Sequence, residues 1–388
     1  MTAATTPAVL GPEEADAQSL ASGAVGAALW AIEQALEPGG DWSTARRHIR
    51  RATTGPVDAA PHAGLYYGAP ALAFTLHATT ADGTDRYPSA RTTLHQHIRR
   101  LTRQRLTAAN ERLRTDRPAT FAEYDLFYGL TGIGALLLLV APGSDELGDL
   151  LDYVVRLTRP RHHDGLLVPG WWVDHDPDPL LPTPGGHVNA GMAHGAAGLL
   201  ALLAHAHRRG HHVVGHRDAI AGLCAWFDQW QQDTPHGPWW PQWITRDCLR
   251  TRRPTQRHPG KPSWCYGAGG IARAQQLAAI ATTDDSRRIA AEQALAACLH
   301  SPQLDRLTEP GLCHGLAGLY QTAYRAAADA TTPAIARQLP AIAARLTATA
   351  ARLRDGGFLT GHTGVALTRK TIRTGQPHTR WDACLLII

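Results

Sequence analysis

The sequence predicts an all-α fold, an α/α toroid of seven inner and roughly seven outer helices. Three observations predict it. First, Gly-x-x-Gly followed by an apolar run rich in Ala and Leu recurs along the whole chain. Second, its copies fall 45, 61, 66, 72, 48 and 46 residues apart, which leaves room each time for two helices and a connection. Third, the runs after the glycines are apolar over most of their surface, whereas the segments between them are charged on one side. That contrast separates buried helices from helices wet on one face. Alternating inner and outer helices close into a ring.

The elements follow in order. Gly23 and Gly26 open a helix expected over Ala27–Leu36. A degenerate copy, Gly68-Ala-Pro-Ala71, precedes an outer helix over Ser89–Leu106. Gly129 and Gly132 open Ile133–Val140, Gly195 and Gly198 open Leu199–His205, and Gly267 and Gly270 open Ile271–Ala281. An outer helix over Asp285–Leu299 leads to Gly315 and Gly318, and another over Thr332–Leu353 leads to Gly361 and Gly364. Few β-branched residues interrupt these runs. The glycines let the inner N-termini crowd together at one end, so unpaired N–H groups and positive dipole ends point into one mouth.

Two connections break the pattern. Residues 164–188 carry Trp171 and Trp172 among many prolines and glycines, and residues 235–263 carry Trp239, Trp240 and Trp243. Loops this long are usually functional, and both are expected near the mouth as loops or insertions. Their tryptophans either cap the barrel end or meet substrate. A single domain over residues 1–388 is expected.

Composition bounds the rest. At 388 residues, 44% of them hydrophobic, the chain can bury a sizeable core. Met1 to Leu20 has no basic segment before an apolar one, so no export signal is expected. The most apolar stretch, Gly132–Pro142, is too short to span a bilayer. A cytoplasmic location follows as the expectation. Six cysteines in such a chain do not suggest a disulfide framework, and Cys224, Cys248, Cys298 and Cys384 read as buried, inert thiols. The net charge is 38 − 33 = +5. The basic clusters Arg99–Arg117 and Arg246–Lys261 lack stacking aromatics or a nucleic-acid-binding module, so they read as solvated faces.

The residues just before the glycine pairs differ from copy to copy, and a repeat protein shows its site where the repeat varies. Trp264-Cys265-Tyr266-Gly267 and Leu312-Cys313-His314-Gly315 share one frame. Cys265, Cys313 and His314 offer two thiolates and an imidazole, one short of zinc's preferred four ligands. Such a site keeps an open position, as catalytic zinc does. His194, before Gly195, is a candidate acid/base; a histidine hydrogen-bonded in the core is the alternative. Asp125, before Gly129, either orients His194 or caps a helix. His362 lies between its glycines and reads as structural. His207, His211, His212 and His216 read as a surface connection with adventitious metal affinity.

These residues carry a family resemblance. Asp125-x-x-Tyr128-Gly129-x-x-Gly132, Asn189-x-Gly191-x-Ala193-His194-Gly195-x-x-Gly198, Trp264-Cys265-Tyr266-Gly267, Cys313-His314-Gly315-x-x-Gly318 and the closing Trp381-Asp382 resemble the lanthionine cyclase (LanC-like) family. The match runs in order from about residue 20 to the end, and the two cysteine motifs together are highly specific. The resemblance implies an α/α toroid holding Zn2+ through Cys265, Cys313 and His314. It implies His194 as acid/base, with Asp125 and Tyr266 as further site residues. Family members carry an arginine four residues before the first zinc cysteine. Lys261 stands there in this chain and supplies charge without a planar fork. Residues 164–188 would correspond to a small β-containing insertion found in some members.

The implied activity is that of a zinc-dependent lanthipeptide cyclase. Peptide cysteine thiolates add to dehydroalanine or dehydrobutyrine, and lanthionine or methyllanthionine rings result. His194 would protonate the α-carbon, with Tyr266, Lys261 or inner-helix N–H groups stabilising the enolate. The implied partners are a dehydrated precursor peptide of leader plus core and a separate dehydratase, with room for association with a membrane complex. No nucleic acid is expected. The alternative is a non-catalytic zinc protein of the same type that binds peptides or thiols. A carbohydrate-active toroid needs two carboxylates, and the frames offer only Asp125. A structural solenoid needs no thiolates there.

Overall fold

The structure, a computed structural model, describes residues 11–178, 180–351, 353 and 355–388. Residues 1–10, part of the stretch expected to carry no export signal, lie outside the described residues.

The helices follow the glycine frames. A short α1 (Pro12–Ala17) leads into α2 (Ala24–Ala35) and α3 (Ser43–Ala52). Next come α4 (Gly68–Ala78), α5 (Pro88–Arg114), the single turn α6 (Phe121–Tyr124), α7 (Leu130–Val140) and α8 (Asp145–Leu157). After them run α9 (Ala196–Arg208), α10 (His216–Trp230), α11 (Arg246–Thr251), α12 (Ala268–Thr282) and α13 (Asp285–Cys298). The chain ends with α14 (Leu316–Asp329), α15 (Leu339–Ala350) and α16 (His362–Thr374). In the order α2, α4, α7, α9, α12, α14, α16, each inner helix packs on the next, and α16 returns to α2 and closes the ring. Outside them pack α3, α5, α8, α10, α13 and α15. Burial divides the two layers. All of Ala196–Ala206 in α9 is buried, whereas α3 buries only the stripe Ala45, Ile49 and Ala52. Among the described residues the inner count is the expected seven. The outer layer has six long helices and the short α1.

The inner helices start three residues earlier than their apolar runs suggest. In six of the seven, the first glycine of the pair is the N-cap, in extended conformation. The second glycine therefore lies in the first helical turn, where the chain leading in crosses close over it. A Cβ on Gly132, Gly270 or Gly318 would lie 2.1, 2.0 or 1.8 Å from the carbonyl oxygen six residues earlier. Close backbone approach fixes glycine at these positions. At α4 the chain turns through Gly68 at φ +71° instead, and the second position is Ala71. The outer helix expected over 332–353 shortens to α15 behind a 3-10 turn at Ala336–Gln338, with Pro340 in its first turn, where proline's missing N–H costs nothing.

The segments before the inner helices are joined in a circle of backbone hydrogen bonds. Leu20 N–H donates to Tyr66 C=O, Tyr66 to Phe127, Leu126 to Ala193, Ala193 to Cys265, Cys265 to Cys313, Cys313 to Leu359, and Leu359 to Ala21. These seven bonds pair frames far apart in sequence and hold them in register around the mouth.

The last residues fill the interior of the ring. Trp381–Leu385 forms a buried 3-10 turn. Tyr66 Oη donates to Cys384 C=O at 2.9 Å, Trp264 Nε1 to Leu385 C=O at 2.9 Å, and Arg273 Nε to Ile387 C=O at 2.9 Å. Buried Asp382 takes both arms of Arg325, at 2.5 and 2.7 Å, so its charge is paired.

The two long connections contain structure too short for sequence periodicity to show. β1 (Arg161–His163) and β2 (Leu166–Val168) form one antiparallel hairpin. β3 (His187–Asn189) follows β2, and β4 (Gln232–Thr234) pairs with β5 (Gly237–Trp239). β6 (Trp243–Thr245) pairs antiparallel with β3, Val188 opposite Ile244, and so ties the two connections together. α11 lies within 235–263, which was expected to be non-helical. None of the described helices is long and apolar enough to cross a membrane.

Candidate metal and acid-base site

Cys265 and Cys313 sit in adjacent frames of the circle, bonded through their backbones at 3.2 Å. The N-caps of α12 and α14, Gly267 and Gly315, follow within two residues of each cysteine. One ligand atom from each of Cys265, Cys313 and His314 lies within 4.8 Å of the others. Among the described residues no other group of His, Cys, Asp or Glu comes so close. The donor set of two sulfurs and one imidazole suits zinc.

The electrostatics of this cluster favour ionised sulfur. A hydrogen bond from Cys313, helped by His314 and Ser263 and opposed by burial, pulls the Cys265 thiol down to about 5. The same contact and burial push Cys313 upward, so the pair gives up its first proton readily and resists losing the second. His314 is raised, first by its contact with the Cys265 sulfur. Three of the other thiols are shifted the opposite way. Burial lifts Cys224 to about 11 and Cys298 to about 12, and Cys384 is also raised.

His194 and Asp125 meet as a pair. His194 Nδ1 lies 2.6 Å from Asp125 Oδ2, and the Asp125 side chain is fully buried. The other oxygen, Oδ1, accepts the N–H groups of Tyr128 at 2.7 Å and Gly129 at 2.9 Å, at the start of α7. The carboxylate thus faces the imidazole with one oxygen and holds the turn leading into α7 with the other, while the N-cap of α7 is Gly129 rather than Asp125. The imidazole stacks on Phe121, 5.2 Å between centroids, and packs against Phe127 and Tyr266 at 5.1 and 5.7 Å. Tyr124 Oη donates to the His194 C=O at 3.1 Å. With Nδ1 committed to Asp125, Nε2 is the nitrogen left for chemistry.

Tyr266 links the two halves. Its ring faces His194, and its backbone follows Cys265. Burial first, then the neighbouring Cys265 and Cys313 sulfurs, push its phenol well above the ordinary value, so it stays a protonated donor. Beside it a cavity of about 320 Å3 is walled by Trp239, Trp240, Cys265, Tyr266, Lys261 and His314. His194 and Asp125 are not in that wall; Tyr266 stands between them and it. Trp239 and Trp240 thus face the cavity, while Trp171 and Trp172 are buried and do not line it.

Lys261 does not reach freely into the cavity. Its Nζ is bound to Glu309 Oε1 at 2.6 Å, and Glu309 Oε2 lies 2.7 Å from His314 Nε2. The sequence alone did not single out Glu309, nor the aromatic wall of Phe121 and Phe127 around His194. Glu309 stands five residues before His314, outside the positions immediately before the glycines where the frames differ. Phenylalanines near a glycine frame read as core. His362 is exposed at the start of α16, outside both groups. His207, His212 and His216 cluster with centroids 4.5–6.3 Å apart, but His216 Nε2 is bonded to Leu203 C=O and their nitrogens do not converge.

Comparison with known proteins adds the family context. Residues 14–386 match the family described as lanthionine synthetase C-like protein. The chain is 24% identical over 268 residues to the nisin biosynthesis protein NisC of Lactococcus lactis subsp. lactis, covering 66% of this chain and 60% of that protein. The match thus spans less than two thirds of the relative's length. Among solved structures, a nisin cyclase superposes with a TM-score of 0.81 at 21% identity, covering 96% of this chain and 92% of the other. That likeness establishes the shared toroid.

Proposed function

The chain belongs to the lanthionine synthetase C-like family, and from that premise we propose that it is a zinc-dependent lanthipeptide cyclase. Its substrate is a dehydrated precursor peptide made by a separate dehydratase. The observation that carries the reading is the convergence of Cys265, Cys313 and His314 beside the Asp125–His194 pair, with Tyr266 between them.

Cys265, Cys313 and His314 would hold the zinc, which when bound supplies a Lewis acid that keeps a substrate thiol ionised near neutral pH. The chain's own residues do the rest. Asp125 keeps a proton on His194 Nδ1, so Nε2 is free to take and return one. The thiol sulfur forms a bond to the β-carbon of dehydroalanine or dehydrobutyrine as the C=C π bond opens. The electron pair moves onto the adjacent carbonyl oxygen, and the neutral Tyr266 O–H is placed to donate to it. His194 then delivers a proton to the α-carbon, which leaves a thioether with no atom gained or lost. Trp239, Trp240 and the buried frame keep bulk water from the reacting carbons, which matters because water competes as a nucleophile.

Cyclisation does not change mass, so the test counts free thiols. A dehydrated peptide incubated with the protein should lose alkylatable cysteines, and Cys313→Ala should lose both bound zinc and this activity. Full cyclase activity in Cys313→Ala would sink the reading. A protein that only holds peptides leaves every thiol alkylatable.

A further inference from the structure

We propose that Glu309 is the positioning residue of the metal site, fixing which nitrogen of His314 faces the two sulfurs, and that Lys261 holds Glu309 in place. The inference rests on the zinc reading above and goes beyond its three ligands.

Three facts on this frame carry it. Glu309 bridges His314 and Lys261 through separate oxygens, at 2.7 Å to His314 Nε2 and 2.6 Å to Lys261 Nζ. Its backbone is anchored, because Glu309 C=O accepts the N–H of Leu316 at 2.8 Å in the first turn of α14. A Cβ on Gly315 would lie 2.6 Å from that carbonyl oxygen, so the frame leaves the carbonyl little room to shift. And the Glu309 oxygens stand outside the ligand cluster, so Glu309 is a partner of the histidine rather than a fourth ligand.

The consequence is a choice of tautomer. With Nε2–H donated to the carboxylate, Nδ1 carries the lone pair, and Nδ1 is the nitrogen left for Cys265 and Cys313. A carboxylate on the distal nitrogen of a metal-binding imidazole fixes its ring and raises its basicity. Lys261 occupies the other oxygen and keeps the carboxylate from swinging away. Lys261 then acts through Glu309 rather than on substrate directly. All three side chains are between 44% and 46% exposed, and exposed pairs of this kind contribute little to folding. The bridge is therefore a device for orientation, and removing it leaves the fold standing.

The test is zinc affinity, measured by chelator competition on purified protein, with the absorption bands of the Co2+-substituted form as a second readout. Glu309→Ala should lower affinity about 10–100-fold and shift the sulfur-to-cobalt bands, with the thermal midpoint of the metal-free protein unchanged. Glu309→Gln, which keeps an acceptor for Nε2–H but loses the charge, should recover part of the loss. Lys261→Met should weaken binding to a smaller degree, and not at all in the Glu309→Ala background. Wild-type affinity and an unshifted cobalt spectrum in Glu309→Ala overturn the proposal while leaving the zinc reading intact. An additive loss from Lys261→Met in that background overturns the part assigned to Lys261. A wild-type protein that takes up no zinc overturns the functional reading itself.

Discussion

His194 and Asp125 form one unit, because a single carboxylate holds the Tyr128 and Gly129 N–H groups ahead of α7 with one oxygen and lies 2.6 Å from His194 Nδ1 with the other. His194→Gln removes the proton carrier and leaves Cys265, Cys313 and His314 in place. It should slow thiol loss about 10²–10⁴-fold with zinc content unchanged, which metal analysis beside the alkylation assay would read. Asp125→Asn keeps an oxygen for the Tyr128 and Gly129 N–H groups but presents an amide N–H to His194. It should retain the thermal midpoint and lose activity through the wrong tautomer; a variant as active as wild type contradicts the assigned role. The Cys265–Cys313–His314 cluster and this pair were legible in the sequence because thiols and imidazoles are conspicuous immediately before a glycine frame. The Glu309 bridge was not, because one of its two contacts reaches Lys261 forty-eight residues earlier, which only the folded ring brings near.

At the level of elements, the glycine pairs were the most readable signal, since backbone contact leaves no room for a side chain. The two kinds of helical glycine should therefore respond oppositely to alanine. Gly318→Ala places a Cβ 1.8 Å from Leu312 C=O and must displace the strap that carries Cys313. A loss of about 1–3 kcal/mol or more is expected, with weaker zinc retention. Gly148, in α8, has nothing within 4 Å of a Cβ, and Gly148→Ala should stabilise by about 0.5–1 kcal/mol. Urea midpoints of the two variants check both signs. The starts of the inner helices were misread because the glycines look like breakers although they are caps. The strands escaped because each is three residues long, too short for an alternating pattern to appear.

For the molecule as a whole, the ring and its count followed from the repeat, but the bonds that lock it did not. The circle of frame-to-frame hydrogen bonds runs through backbone groups, which leave no mark on residue identity, and the burial of the Trp381–Leu385 turn inside the ring depends on the assembled helices. Two buried histidines tie stability to pH. Desolvation lowers His187 to about 4, and His205, beneath the closing segment, to about 3. Both are neutral when folded and titrate near 6.5 when unfolded. Between those values the unfolded chain binds more protons, so stability is full above about pH 6.5 and falls as pH drops toward 4. The slope is at most about 1.4 kcal/mol per pH unit for each group. Urea unfolding of chelator-treated protein between pH 7.5 and 4.5 should show this slope, and His205→Gln should flatten it. At the mouth that the ring assembles, zinc held by Cys265, Cys313 and His314 is proposed to be required for thioether formation. This requirement is tested most directly by counting free peptide thiols after incubation with zinc-loaded, chelator-stripped and zinc-restored protein. Thiol loss is expected with the loaded protein, none with the stripped protein and recovery on restoration. Equal thiol loss in all three, or none in any, would contradict it.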